Sequence, residues 1–333
     1  MRDIFKWLEE TADPQLYDST AFIYEDMASQ SGKSLPIIYQ PFDATRKAHW
    51  RDRGAALDYL LSTRARGGRV LDFGPGDGWP SLIIAPQVAE VVRVDGSPRR
   101  VQVCTENAAR LGLNNARFLA VPPGGPLPFA DGSFDAAVAA SSVEQTPDPF
   151  FTLAELYRVL RPGGRLRLSY EALSRYRGGQ ETDAWLLEIE AETTRLLLYD
   201  RQIEQERVVQ YGLTFRLAEA DLLAALTAGE AASAKISLSK LQSLSDRLLD
   251  VRKCVTSHPS GRTLVGWLAE IGFREIRPSH NGLDAAATLF DQTAAAERPL
   301  TITAVDAYLQ PFVQMAVGLA APVEMDPMLT AVK

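Results

Sequence analysis

Residue types that commonly bind metals or form disulfides are scarce in this chain of 333 residues, which has two cysteines and three histidines. Cys104 and Cys254 form no C-x-x-C pair. His49, His258 and His280 follow neither the HExxH nor the HxxxH spacing of metal sites. The sequence therefore predicts reduced thiols and no bound metal.

Two further features are absent: an excess of basic residues and a long apolar run. The chain has 35 lysines and arginines against 42 acids, a net charge of −7, which argues against binding to nucleic acid. No run approaches the ~20 apolar residues of a membrane span, and the N-terminus has no apolar segment of signal-peptide length. We therefore predict a cytoplasmic protein with no nucleic-acid partner and no membrane partner.

The most informative stretch is a short strand followed by alternating glycines. Residues 69–73 are mostly apolar and predict a buried strand. Gly74, Gly76 and Gly78 follow, so the backbone can turn tightly and approach a ligand with no Cβ in the way. A short helix is predicted over 81–85, and its free N–H groups suit polar or anionic ligand atoms. In an open α/β sheet, ligands bind at this carboxyl end of the strands.

The spacing of these glycines narrows the class of ligand. Trp79 stands where a dinucleotide-binding G-x-G-x-x-G motif needs its third glycine, which opposes a nicotinamide cofactor. No lysine follows the glycines, as a phosphate-binding P-loop requires. A second apolar run ends in Asp95, 23 residues after Asp72 (95 − 72), where an acid can accept hydrogen bonds from a ribose diol.

Four motifs in this order resemble the Rossmann-like class of S-adenosylmethionine-dependent methyltransferases. The acid-x-G-x-G-x-G motif of that family is matched by residues 72–78, and its ribose-binding acid is matched by Asp95. Residues 127–135 resemble the family's approach to strand four, and residues 155–166 resemble the helix, turn and fifth strand that come next. The resemblance covers about 68–170.

The resemblance implies a fold and a cofactor. The expected fold is α/β, with a seven-stranded Rossmann-like sheet that is mostly parallel and has an antiparallel last strand, plus an N-terminal cap and an inserted lid. The expected cofactor is S-adenosylmethionine, and its product is S-adenosylhomocysteine. The residues expected to bind the cofactor are Asp72, Gly74, Pro75, Gly76, Gly78, Asp95, Gly96, Ser97, Pro122 and Ser141.

One loop departs from the family. Relatives often place an acid just after strand three, where it binds the adenine amino group, but residues 121–126 are Val-Pro-Pro-Gly-Gly-Pro. No carboxylate follows until Asp131. We therefore expect adenine to be recognised by backbone groups and apolar contacts, or by another segment.

The end of predicted strand four is the expected place for substrate chemistry. Glu144 and Gln145 follow this strand, near the position where many relatives carry a histidine. Both side chains can orient a polar acceptor, and Glu144 is also a candidate proton acceptor. Glu144 and Gln145 are therefore the candidate catalytic residues. The alternative is that they cap the next helix or face solvent.

The rest of the chain is expected to divide into segments around this core. They are an N-terminal cap or surface arm over 1–43, the cofactor-binding core over 44–173, an inserted lid or substrate subdomain over 174–258, and a return to the core with a helical excursion and a final strand over 259–333. The lid is expected to select the substrate. A homodimer through the lid is an alternative that is compatible with that role.

Within the lid, periodicity predicts both helices and a hairpin. Helices are predicted over 182–196, 218–228 and 238–251. A hairpin is predicted over 195–217, where β-branched and aromatic residues are frequent.

These observations leave three hypotheses for function. The first is methyl transfer from S-adenosylmethionine to an oxygen, nitrogen or carbon atom of a small-molecule acceptor, by in-line displacement. The second is a non-catalytic relative of that fold that binds the cofactor or acts as a scaffold. The third is an NAD-dependent oxidoreductase, which the tryptophan at position 79 opposes.

Overall fold

Two compact units make up the part of the chain that the structure, a computed structural model, describes: residues 2–17, 42–74, 78–176, 184–227 and 236–333. The described residues within 2–17 and 173–258 form the first unit. Those within 42–172 and 259–333 form the second unit. Each unit has a β-sheet of its own.

The described residues form strands and α-helices with the following bounds. The strands, numbered in chain order, are β1 (Gln15–Tyr17), β2 (Arg69–Phe73), β3 (Glu90–Asp95), β4 (Ala116–Ala120), β5 (Phe134–Ala140), β6 (Leu160–Ser169), β7 (Ala184–Glu190), β8 (Thr193–Gln202), β9 (Arg207–Phe215), β10 (Leu248–Ser257), β11 (Arg274–Ser279) and β12 (Met328–Val332). The α-helices of the described residues are Arg2–Thr11, Lys47–Thr63, Ser81–Ile84, Pro98–Arg110, Pro149–Val159, Glu219–Thr227, Leu238–Ser243, Gly261–Ile271, Gly282–Gln292 and Ile302–Gly318.

The second unit is built on a seven-stranded sheet in the order β11-β12-β6-β5-β2-β3-β4. Strand β2 pairs in parallel with β3 and β5, and β4 and β6 extend the parallel region on either side. The last strand, β12, is antiparallel to both of its neighbours. The predicted Rossmann-like fold class is therefore confirmed, including the reversed final strand.

Apolar residues cover both faces of the central strands, as a parallel sheet between two helical layers requires. On one face, Tyr59 and Leu60 of the helix Lys47–Thr63 pack with Val70 of β2. On the other face, the helices Pro149–Val159 and Gly261–Ile271 bury their leucines against the sheet. Because β2 to β6 are parallel, their carboxyl ends lie together at one edge of the sheet, between the two helical layers.

A buried ion pair connects these layers. Arg167 of β6 donates from Nε and Nη2 to the two carboxylate oxygens of Asp58, at 2.8 and 3.0 Å. Its Nη1 donates to Ser279 Oγ at 2.8 Å and to Thr330 Oγ1 at 3.0 Å. The backbone N–H of Gly282 donates to Asp58 Oδ2 at 2.6 Å. This one ion pair thus joins β6, β11, β12 and two helices.

The first unit contains a five-stranded sheet in the order β1-β10-β9-β8-β7. Strands β7 to β10 pair in antiparallel fashion, and β1 adds in parallel beside β10. Ile4 and Leu8 of the N-terminal helix pack against Leu196 and Leu198 of β8. The N-terminal residues therefore share a core with the inserted segment, a partnership that the sequence analysis did not predict.

Two secondary-structure predictions in the inserted segment are wrong. The helix predicted over 182–196 is replaced, in its described part, by β7 and the start of β8. The helix predicted over 238–251 ends at Ser243, and β10 begins at Leu248. Short apolar runs fit either period, and here pairing with neighbouring strands decided the outcome. The predicted hairpin is confirmed by β8 and β9, and the helix predicted over 218–228 is confirmed by Glu219–Thr227.

Among the helices within the described ranges, none has the length and apolarity that crossing a bilayer requires.

Candidate functional site

Hydrogen bonds link the carboxyl ends of the parallel strands to one another. The N–H of Gly74 after β2 donates to Val94 O of β3 at 2.9 Å, and Ser142 Oγ after β5 donates to Phe73 O at 2.6 Å. The N–H of Val121 after β4 donates to Asp95 O at 2.9 Å. The strand ends therefore form one continuous edge, where ligands of open α/β sheets bind.

Gly74 begins the turn at the centre of this edge. Its φ is +66°, a left-handed conformation that suits glycine, and an added Cβ would overlap the Cβ of Ser142. Gly78, with φ +133°, is the next described residue of the turn. Pro75 and Gly76 belong to residues 75–77, so the predicted roles of these two lie outside the described residues.

We expect Gly74→Ala to lower the free energy of unfolding by about 2–5 kcal/mol. The left-handed backbone costs an L-residue ~1–2 kcal/mol, and crowding against Ser142 adds ~1–3 kcal/mol. Gly67 provides the matched control, because its φ is +68° but an added Cβ meets nothing within 4 Å. Urea unfolding should show a clearly larger loss for Gly74→Ala than for Gly67→Ala. Equal losses in the two variants would contradict the crowding.

Asp72 lies next to this turn in the middle of the sheet and is fully buried. The hydroxyl and the N–H of Ser81 both donate to its Oδ2, the latter at 3.2 Å, and Arg93 Nε lies 3.6 Å from the same oxygen. Burial raises the pKa of Asp72 to about 6, although Arg93 and the Ser81 hydrogen bonds oppose the rise. Its Oδ1 is buried and has no hydrogen-bond partner among the described residues.

Asp95 ends the neighbouring strand, and its Oδ1 accepts a hydrogen bond from the N–H of Ser97 at 2.9 Å. Ser97 in turn caps the helix Pro98–Arg110 by accepting from the N–H of Arg100. An added Cβ on Gly96 would lie 2.9 Å from Pro123 Cγ. The predicted residues Asp95, Gly96 and Ser97 are therefore held together at the edge, with the loop after β4 against them.

Residues 121–126, which follow β4, contain no carboxylate. The carbonyl of Pro122 accepts from the N–H of Gly125 at 3.2 Å, which closes the loop on itself. Asp131, the next acid, is 2.9 Å from Arg158 Nη1. Arg158 also donates to Glu155 and to the carbonyls of residues 127 and 129, so Asp131 belongs to a structural cluster.

The candidate catalytic residues lie on the loop after β5. Ser141 adopts a left-handed φ of +50°, and its N–H donates to Ser169 O at 3.0 Å. Glu144 is buried, and its Oε1 accepts from the N–H of Glu171 at 2.7 Å. Gln145 is half-buried and its N–H donates to Ser142 O at 3.1 Å. Of the two predicted side chains, that of Glu144 thus connects the loops after β5 and β6.

Arg93 is the site residue that the sequence analysis missed. It is buried beside Asp72, opposite it in the parallel register, and its guanidinium carbon lies 5.4 Å from the ring centre of Phe118. A signal was available: Arg93 is the fourth residue of β3, and Asp72 is the fourth residue of β2. Two residues of opposite charge that lie equally far from the start of adjacent parallel strands predict such an ion pair.

Trp79 turns away from the strand edge toward the helix Lys47–Thr63. Its Nε1 donates to Asp52 Oδ1 at 3.2 Å, and its ring meets Tyr59 edge-to-face with centres 5.9 Å apart. Within the described part of the chain, no three His, Cys, Asp or Glu side chains are placed to hold a metal ion together. Carboxylates, glycines and backbone groups are therefore what this edge offers to a ligand.

The same segment matches a known family. Residues 71–168 match the model described as a methyltransferase domain. The chain therefore carries a class I methyltransferase domain. The predicted family is confirmed, and the cofactor of that family is the predicted S-adenosylmethionine.

Relatives of the methyltransferase domain cover the same part of the chain. A 27-O-demethylrifamycin SV methyltransferase of Amycolatopsis mediterranei is 32% identical over 150 residues, which is 41% of this chain and 54% of the relative. A demethylmenaquinone methyltransferase of Thermus thermophilus is 39% identical over 119 residues, 35% of this chain and 51% of the relative. The chain thus spans about half the length of these curated relatives.

Solved structures match over a longer range. An S-adenosylmethionine-dependent methyltransferase of Clostridium acetobutylicum has a TM-score of 0.48 and 9% identity, with 94% of this chain and 96% of that chain covered. The strand order β11-β12-β6-β5-β2-β3-β4 defines the fold of the methyltransferase domain.

Proposed function

We propose that this protein transfers a methyl group from S-adenosylmethionine to an oxygen, nitrogen or carbon atom of a small-molecule acceptor. The observation that carries the proposal is the strand edge at which Asp72 and Asp95 flank the left-handed turn of Gly74. When bound, S-adenosylmethionine supplies a methyl group that is already activated on a sulfonium sulfur. The residues of the protein then have to bind the cofactor, orient the acceptor and exclude water.

The residues present fit this cofactor in charge and in space. The buried Oδ1 of Asp72, which has no hydrogen-bond partner among the described residues, suits the cofactor's ammonium group. Glycine at position 74 allows the left-handed turn and lets the loop after β5 pack against it, which holds the strand edge together. Asp95, held by the N–H of Ser97, suits the two ribose hydroxyls.

The other predicted cofactor residues are retained as part of the proposal. We place the aminoacyl part of the cofactor along the glycine turn and its adenosine along the ends of β3 and β4. The residues assigned to it beyond Asp72, Gly74 and Asp95 are Pro75, Gly76, Gly78, Gly96, Ser97, Pro122 and Ser141.

Glu144 and Gln145 are proposed to orient the acceptor. The hydrogen bond from the N–H of Glu171 fixes one oxygen of the Glu144 carboxylate and keeps two loops together. Proton acceptance by Glu144 is needed only for an acceptor that must lose a proton. A Glu144→Gln variant that keeps the full pH profile of turnover would rule out that role.

We further propose that the inserted segment over 174–258 acts as a lid that selects the acceptor. Its core is large for a connecting segment, since it contributes the four strands β7 to β10 of a five-stranded sheet. A homodimer through this segment is retained as the second proposed role. Sedimentation of the full chain with and without S-adenosylhomocysteine measures the oligomeric state and decides that role.

The central experiment is a calorimetric titration of the full chain with S-adenosylmethionine and, separately, with NADH. We expect saturable binding of the first and none of the second. Incubation with a panel of acceptors should then release S-adenosylhomocysteine with at least one of them. Binding without release across the panel would favour the scaffold hypothesis, and binding of NADH alone would overturn the proposal.

We expect the affinity for S-adenosylmethionine to fall as the pH drops below about 6. The pKa of Asp72 is raised to about 6, so the carboxyl becomes protonated below that pH and loses its attraction for an ammonium group. Affinity should approach a tenfold fall per pH unit below 6 and stay constant between about pH 6 and 7, where the cofactor's α-ammonium group (pKa ~7.7–8.0) is still charged. Calorimetric titrations between pH 5 and 8, with about two titrations per pH unit, measure this profile.

A second carboxyl provides the control for this profile. Burial also raises the pKa of Asp52, which accepts a hydrogen bond from Trp79. Asp72→Asn should bind more weakly with a flat profile, whereas Asp52→Asn should keep the fall below pH 6. If Asp52→Asn flattens the profile and Asp72→Asn does not, the ammonium assignment to Asp72 is wrong.

A further inference from the structure

Two buried arginines lie in one row across the sheet of the second unit, each with an aspartate beside it. Arg167 of β6 is opposite Val138 of β5, which is opposite Asp72 of β2. Arg93 of β3 lies on the other side of Asp72. Residues that are opposite one another in adjacent strands point to the same face of a sheet, so the two arginines have comparable surroundings.

The first arginine is complete in its hydrogen bonds. Arg167 donates to the two carboxylate oxygens of Asp58 at 2.8 and 3.0 Å. Its Nη1 and Nη2 also donate to three further oxygens, which belong to Ser279, Thr330 and His280. A buried ion pair with this many hydrogen bonds serves the fold, because it satisfies the donors of the guanidinium.

The second arginine makes no such bonds. Arg93 Nε lies 3.6 Å from Asp72 Oδ2, which is longer than an ordinary hydrogen bond. All three nitrogens of this guanidinium are buried and have no hydrogen-bond partner among the described residues, and the same is true of Asp72 Oδ1. Oδ2 is held instead by the hydroxyl and the N–H of Ser81. Arg93 therefore acts on Asp72 through its charge and leaves Oδ1 open.

A buried guanidinium without hydrogen bonds is costly, since each unmet donor has lost its contact with water. Phe118 of β4 compensates Arg93 only with a ring, whose centre lies 5.4 Å from the guanidinium carbon. Proteins accept such local costs mainly at functional sites. The contrast with Arg167 therefore points to a role for Arg93 in the charge of Asp72 rather than in packing.

The other groups that face Asp72 do not replace this charge. Burial raises the pKa of Asp72 to about 6, and the charge of Arg93 is the largest influence that opposes the rise. Asp95, at the end of β3, has the same sign as Asp72 and raises its pKa further. Tyr59 faces Asp72 as a neutral phenol, because burial and nearby carboxylates raise the pKa of the tyrosine. Arg167 lies two strands away.

We propose that Arg93 is a positioning residue for the cofactor, because its charge keeps Asp72 a carboxylate at neutral pH while Oδ1 stays open for the ammonium group. Arg93 acts through Asp72 and not through a contact of its own with the cofactor. The inference rests on the proposed function, since it uses the assignment of the ammonium group to Asp72. Without Arg93, burial would leave much of Asp72 protonated at pH 7, and a neutral carboxyl attracts an ammonium group only weakly.

The first test measures the ionisation of Asp72 in the full chain without a cofactor. The aspartates are labelled with carbon-13 at Cγ, and the signal of Asp72 is identified by its absence in Asp72→Asn. We expect a titration midpoint at about pH 6 in the unaltered chain. A nearby opposite charge lowers the pKa of a carboxyl by about 1–3, so Arg93→Met should raise the midpoint by about 1–3 pH units.

Three further variants separate charge from packing. Arg93→Gln is also neutral and should give the midpoint of Arg93→Met with a polar side chain in place. Arg93→Lys keeps a positive charge, so its midpoint should lie closer to that of the unaltered chain. Arg69→Gln is the matched control, because it removes a guanidinium that is paired with Glu90 at the start of the same two strands. Its Asp72 midpoint should remain at about pH 6.

The second test measures the affinity for S-adenosylmethionine at pH 7 by calorimetry. A carboxyl with a midpoint between about pH 7 and 9 is only about 50% to 1% ionised at pH 7. Arg93→Met should therefore bind about 2-fold to 100-fold more weakly, and Arg69→Gln should bind like the unaltered chain.

The two measurements distinguish this inference from the proposed function. An unchanged Asp72 midpoint in Arg93→Met, or equal midpoints in Arg93→Met and Arg69→Gln, would overturn the inference and leave the methyltransferase proposal in place. A raised midpoint with unchanged affinity at pH 7 would also overturn the inference, because the cofactor would not then depend on the charge of Asp72. Failure of the unaltered chain to bind S-adenosylmethionine would overturn both.

Discussion

Replacing Asp95 by alanine is expected to weaken binding of S-adenosylhomocysteine by about 100-fold to 10,000-fold. A carboxylate that accepts both ribose hydroxyls makes two hydrogen bonds to a charged group, each contributing ~1.5–3 kcal/mol. Their sum, about 3–6 kcal/mol, corresponds to this range of dissociation constants. Isothermal calorimetry of the variant beside the unaltered chain measures the ratio.

The position of Asp95 makes the experiment interpretable. Its Oδ1 already accepts from the N–H of Ser97, so part of the loss in Asp95→Ala comes from the turn. Asp95→Asn keeps an acceptor for that N–H but removes the charge, and we expect it to lie between the alanine variant and the unaltered chain. Glu90, at the other end of β3, provides the matched control, because Glu90→Ala should bind normally.

The possible outcomes of this titration distinguish the role of Asp95 from the ability of the chain to bind the cofactor. Unchanged affinity in Asp95→Ala would end the assignment of Asp95 to the ribose while leaving the methyltransferase proposal in place. Failure of the unaltered chain to bind S-adenosylhomocysteine would instead remove the methyltransferase proposal itself.

Replacing Asp58 by alanine is expected to lower the free energy of unfolding of the second unit by about 3–5 kcal/mol. The change leaves the guanidinium of Arg167 without its counter-charge in a position of 0% exposure. It also removes the acceptor of the Gly282 N–H, which anchors the start of the helix Gly282–Gln292. Urea unfolding followed by circular dichroism measures the loss.

The control for this prediction is an ion pair at the surface. Lys47 and Asp291 lie 2.5 Å apart with about half of each side chain exposed (43% and 53%). Because solvent screens such pairs, Asp291→Ala should cost only ~0–1 kcal/mol. Asp58→Ala combined with Arg167→Met should recover part of the loss, since no unpaired buried charge remains. A cost for Asp58→Ala no larger than for Asp291→Ala would refute this account of the buried pair.

Local sequence was sufficient to predict the strand edge at which the cofactor is proposed to bind. The strand, the turn glycine and the acid after the next strand lie within 27 residues of one another (95 − 69 + 1), and their backbone conformations depend on neighbouring residues. Gly74 is left-handed because the chain reverses there, and Asp95 ends its strand because Ser97 and Pro98 begin a helix. Arg93 was missed because its partner is defined by strand register rather than by any motif.

The inserted segment was harder to predict because its strands depend on distant partners. Leu248–Ser257 becomes a strand between β9 and the N-terminal β1. Its first four residues, 248–251, also fit the period of a helix, so the local pattern could not decide between the two.

The amino-acid sequence by itself determined the parallel core, its family and the residues at the edge of the first strands, because each of these depends on short motifs in chain order. Only the tertiary structure decided that residues 2–17 join the inserted sheet and that Asp58 meets Arg167, 109 residues later. The physical reason is the same in both cases. Burial and pairing between distant segments select one conformation where local preferences leave several of similar free energy.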